Sequence, residues 1–103
     1  MSTITKKIVI AKLKDAIDKL EEYQSKEPDK LKRKDASLLI SELRDKIVEQ
    51  SWKNILDRTT ALEELKNQLL NIIDSASGTT TVSGVIEEIE LIVSDISDLI
   101  NEE

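Results

Sequence analysis

Apolar residues near the start of the chain recur at alternating steps of four and three: Val9, Leu13, Ala16, Leu20 and Tyr23, with Ile10 and Ile17 widening the stripe. That spacing returns to one side of a 3.6-residue helix and predicts an amphipathic helix over about 3–24. Pro28 disfavours helical geometry in the residue before it, so the stretch from Ser25 to Asp29 reads as a turn. The basic run from Lys30 to Lys34 reads as no more than one loose turn, ahead of an expected cap at Asp35 or Ser37. A second stripe of Leu39, Ile40, Leu43, Ile47 and Val48 continues weakly through Trp52, Ile55 and Leu56. It predicts a helix over about 36–57, with a break at Asp57-Arg58-Thr59 or, alternatively, one bent helix running through to 76.

Thr60-Ala61-Leu62-Glu63 has the spacing of a capping box, which places a third helix over about 60–76. Its stripe is Leu62, Leu65, Leu69, Ile72 or Ile73, and Ala76, and Gly78 is suited to closing it in the left-handed conformation. Residues 75–84 hold both glycines, several serines and three consecutive threonines, the composition of a flexible loop. Beyond it Val85, Ile86, Ile89, Ile92, Val93, Ile96, Leu99 and Ile100 make a wide apolar face, predicting a last helix over about 83–101 capped by Ser83. β-branched residues are dense between Ile89 and Val93, but the three-four spacing argues against a strand. The expected fold is an all-α antiparallel bundle of about four helices forming a single domain over 1–103. A three-helix core with a detachable last helix is the alternative.

Composition then narrows the chemistry. Tyr23 and Trp52 are the only aromatic residues among 103, so the interior must be built from Ile, Leu, Val and Ala. With neither histidine nor cysteine, the chain lacks the commonest general base, thiol nucleophiles and thiolate or imidazole metal ligands. Neighbouring pairs such as Glu21-Glu22, Glu63-Glu64 and Glu87-Glu88 diverge by about 100° on a helix instead of converging on a ligand. The loop before the last helix lacks the Lys-Ser or Lys-Thr that a phosphate-binding loop requires after its second glycine. Residues Asp74 to Gly78 likewise lack the oxygen donors of a calcium loop, because Ala76 stands at the third position. No cofactor or metal is expected, and the chain is read as not an enzyme. The apolar run from Ile8 to Ala11 is too short for a signal peptide or a membrane span, so a cytoplasmic, membrane-free protein is expected.

Charge supplies the functional candidates. The net charge is −6, but residues 1–66 hold all 15 Lys and Arg against 13 acids, whereas residues 67–103 hold eight acids and no base. On the last helix Glu87, Glu88, Glu90, Asp95 and Asp98 oppose the apolar face, and acids at its C-terminal end oppose the helix dipole. A solvated face is the plain reading. A surface for a basic protein partner is the functional one, and in its sharpest form it imitates nucleic acid, as an inhibitor from a mobile element would. The cluster Lys26, Lys30, Lys32, Arg33 and Lys34 is a candidate nucleic-acid contact, which the net charge, interspersed acids and lack of a nearby aromatic all disfavour. In a second copy the same cluster would complement the acidic helix, making a homo-oligomer. Trp52 is a candidate interface anchor, since tryptophan is enriched at binding hot spots, and its plainer role is in the core.

In length, acidity and a mid-chain tryptophan the chain superficially resembles the small Trp-x-Gly family exported by type VII secretion. Its Trp52-Lys53-Asn54 lacks the family's turn glycine, and Pro28 interrupts the first long helix of such a hairpin. No property of that family is therefore carried over. The function expected is that of an adaptor, inhibitor or small structural subunit working through its last helix.

Overall fold

A computed structural model describes residues 4–76 and 80–102. They form four helices: α1 (Lys6–Lys26), α2 (Lys30–Glu49), α3 (Ile55–Ala76) and α4 (Ser83–Asn101), the last entered through a 3-10 turn over Thr80–Val82. The described residues contain no strand, so Ile89–Val93 is helical, as its spacing predicts. None of the helices is long and apolar enough to cross a membrane.

Side-chain pairs between helices fix their directions. Glu21 near the end of α1 meets Arg44 near the end of α2, and Gln24 meets Ser37, so these two helices run antiparallel. Lys46 meets Glu64 while Glu42 meets Gln68, which makes α2 and α3 antiparallel. Lys12 meets Asp95 and Lys19 meets Glu88, which does the same for α1 and α4. The bundle is thus up-down-up-down, 43 Å long and 16 Å across its thinnest axis.

The predicted stripes are the observed core. Val9, Leu13, Ala16, Leu20 and Tyr23 of α1 are buried in one cluster with Leu62, Leu65 and Leu69 of α3 and Val85, Ile89 and Ile96 of α4. α1 packs on all three other helices, whereas α2 lies mainly on α1 through Ala36, Leu39, Ile40 and Leu43. α4 is packed against both α1 and α3, which removes the detached arrangement. Val48 and Leu56, assigned to the second stripe and its continuation, are instead 84% and 70% exposed.

Helix boundaries depart from the sequence expectation wherever two capping residues compete. Pro28 does hold Glu27 extended and ends α1, but the very next residue, Asp29, already caps α2. Its Oδ1 accepts the N–H groups of Leu31 at 2.8 Å and Lys32 at 3.3 Å. The basic run is therefore the first turn of α2, not a loop, and neither Asp35 nor Ser37 caps anything. α2 ends at Glu49, eight residues earlier than expected, because Gln50 turns left-handed (φ 45°) and its N–H bonds the Lys46 carbonyl. Asn54 then starts α3: its Oδ1 accepts the Asp57 N–H at 2.9 Å, while Asp57 Oδ2 accepts the Lys53 N–H at 3.3 Å. This cap stands about two turns before Thr60-x-x-Glu63, which lies inside the helix. Ser83 does not cap α4, since its hydroxyl donates to the Thr80 carbonyl. Gly78 and the centre of the expected loop fall outside the described residues.

Arg33 clamps the α1–α2 corner by donating from Nη1 to the carbonyls of Glu27 and Pro28, both at 2.8 Å. Inside that corner Tyr23 is fully buried and Glu27 is 3% exposed, with one carboxylate oxygen accepting the Asp29 N–H. Burial, reinforced by the negative charge of Glu27, pushes the Tyr23 hydroxyl well above its ordinary value. The folded state holds the neutral phenol, so its contribution to stability is complete below the ordinary value near 10 and is lost as pH rises toward the folded value. Tyr23 is the chain's single tyrosine, and in an alkaline titration its phenolate absorbance should appear only together with loss of the helical circular dichroism.

The caps lead to a second expectation, read by urea unfolding. Asp29→Ala should cost about 1 kcal/mol, whereas Thr60→Ala should change stability by less than about 0.5 kcal/mol. Gln50→Gly should stabilise by up to about 1 kcal/mol, because glycine adopts the left-handed conformation without Cβ strain.

Candidate protein-interaction surface

α4 buries Val85, Ile89, Ile92 and Ile96 and leaves its opposite side in solvent. At 100° per residue, Glu87, Glu88, Asp95, Asp98 and Glu102 fall in one sector of roughly 100°, and Leu91 sits at its centre. Leu91 is 65% exposed, so α4 presents a leucine ringed by carboxylates. Glu90 lies outside that sector, on the other flank of the helix.

The strip is not free of cations, as the α4 sequence alone suggested. α1 brings two lysines to its edge: Lys19 Nζ stands 2.7 Å from Glu88 Oε2, and Lys12 Nζ stands 3.7 Å from Asp95 Oδ2. The Lys19 ammonium beside it lowers the Glu88 carboxyl below its ordinary value, and the Glu88 carboxylate raises the Lys19 ammonium. Each partner holds the other charged. Glu87, Glu90, Asp98 and Glu102 make no ion pair among the described residues. Asp98 and Glu102 also crowd the negative end of a helix whose last turn has no basic residue.

Beside the strip, α1 and α4 enclose a groove of about 430 Å³. Its floor is Ile8, Ala11 and Leu99, and its rim is Asp95, Asp98 and Glu102, with Lys12 along one side. An apolar floor under an acidic rim suits an aliphatic side chain flanked by cations.

The other predicted site residues are scattered. Trp52, proposed as an interface anchor, is 5% exposed and belongs to the core, carried there by the linker between α2 and α3. The basic patch divides: Lys30 and Lys34 are exposed, Lys32 is half-buried beside Tyr23 and Asp35, and Arg33 is committed to the α1–α2 corner. A continuous phosphate-binding row is not formed. Sequence reasoning missed Leu91, Ile8 and Leu99 as surface residues. Leu91 had a legible signal, because it falls off the Ile89, Ile92, Ile96 stripe.

Among the described residues no group of three or more carboxylates is placed to hold a metal ion. Compared with known proteins, the chain matches no family model, no curated protein sequence and no solved structure.

Proposed function

We propose that this chain is a non-enzymatic interaction protein whose α4 face and adjoining α1–α4 groove receive a cationic, amphipathic segment of another polypeptide chain. The observation that carries this reading is Leu91, exposed at the centre of a carboxylate ring, next to an apolar floor rimmed by Asp95, Asp98 and Glu102. Exposed leucine in such a ring supplies desolvation energy on docking, while the surrounding charge supplies orientation and a fast encounter. Imitation of a nucleic-acid backbone fits less well. Glu88 and Asp95 already have lysine partners, and Leu91 interrupts the row with an apolar side chain.

An amphipathic Lys/Leu helical peptide is a suitable probe, titrated by calorimetry. Binding should weaken steeply as salt rises from well below to well above physiological strength. The variant Glu87→Gln/Asp98→Asn/Glu102→Gln should bind at least about tenfold more weakly, equivalent to about 1.4 kcal/mol. Removing the same charge elsewhere, through Asp45→Asn/Glu49→Gln/Glu63→Gln, should leave affinity nearly unchanged. Equal weakening by both triple variants would reduce the effect to net charge and defeat the assignment to α4.

A further inference from the structure

The α1–α2 corner carries the reverse of the α4 surface. Gln24, Lys30, Leu31, Arg33, Lys34 and Ser37 line a groove of about 600 Å³ there, and Leu31 stands 72% exposed in it. Leu38, two turns further along α2, is 61% exposed but lines a neighbouring groove with Asp35 and Glu42. Lys30 and Lys32 stand in the first turn of α2, near the positive end of its dipole, with the Asp29 carboxylate capping that end. One molecule thus offers Leu31 among cations at a helix start, and Leu91 among carboxylates toward a helix end.

We propose that the partner of the α4 face is a second copy of this chain, seated by the basic groove of α2, so that the protein self-associates head to tail. This rests on the reading of α4 as the binding surface and names its occupant. Antiparallel docking of α2 from one copy on α4 of another sets Lys34 against Asp98 and Lys30 against Glu102. Leu31 then enters the apolar groove over Ile8 and Leu99. In that register Lys30 and Lys34 of α2 compensate the dipole-opposed acids of α4, and the two helix dipoles run in opposite directions. The contact joins two different patches, so each added copy presents a fresh acidic face and a fresh basic groove.

Sedimentation equilibrium tests this arrangement with two complementary variants. One, Leu91→Ser/Asp98→Asn, disables the acidic face; the other, Leu31→Ser/Lys34→Gln, disables the basic groove. All four positions are solvent-facing, and circular dichroism reports whether each variant keeps its helices. Wild-type mass should rise with concentration at low salt and return to the monomer value of 11.6 kDa at high salt. Each variant alone should stay monomeric, and their equimolar mixture should stop at twice the monomer mass, because one intact face and one intact groove remain. A wild type that is monomeric at every concentration overturns the proposal, as does a mixture that forms no dimer or a single variant that still associates. A monomeric wild type that nevertheless binds the Lys/Leu peptide through Glu87, Asp98 and Glu102 would leave the reading of α4 intact and remove only the second copy. Loss of both would remove the two together.

Discussion

The apolar stripe of α1 is the contact on which the remaining structure depends. Val9, Leu13, Ala16, Leu20 and Tyr23 are excluded from solvent because α2, α3 and α4 each lay a face on them. Nearly all the interior is aliphatic, so the stabilising term is burial of Leu, Ile and Val, whose fit depends on shape more than on directional bonds. Placing α1 at the centre also decides the electrostatics of α4. Lys12 and Lys19 project from the flank of the same helix that supplies the stripe, and so they arrive beside Asp95 and Glu88.

Much of this was legible in the residue order, because helical periodicity reports which side of a helix meets the core. The stripes of α1, α3 and α4 match the buried residues closely. Boundaries were harder to read, since capping is a competition among neighbours that all satisfy the rule. Asp29 prevailed over Asp35 because Pro28 had already set the chain extended at Glu27, and Asn54 with Asp57 prevailed over Thr60 with Glu63. The end of α2 carried no conventional signal. Gln50 adopts a conformation more typical of glycine, and the turn it makes carries Trp52 into the core.

The acidic character of α4 was equally plain in the sequence, yet its distribution in space was not. Charges from a helix earlier in the chain enter only through the fold, and the pairings at Glu88 and Asp95 divide the acids into compensated and uncompensated sets. The basic cluster divided for a similar reason. Arg33 turns inward to bind the Glu27 and Pro28 carbonyls, leaving Lys30 and Lys34 beside Leu31. Adjacent residues on a helix point in different directions, so a run of like charge in sequence is not a patch of like charge on a surface.

The pairing of Lys19 with Glu88 moves both groups further from neutrality, the ammonium upward and the carboxyl downward. With no imidazole or thiol in the chain, this surface has no side chain of a type that ordinarily exchanges a proton between mildly acid and mildly alkaline conditions. Around neutrality the signs of the charges on this surface are therefore fixed by the sequence. The ions dissolved around the molecule, not its own protonation, set how far those charges reach.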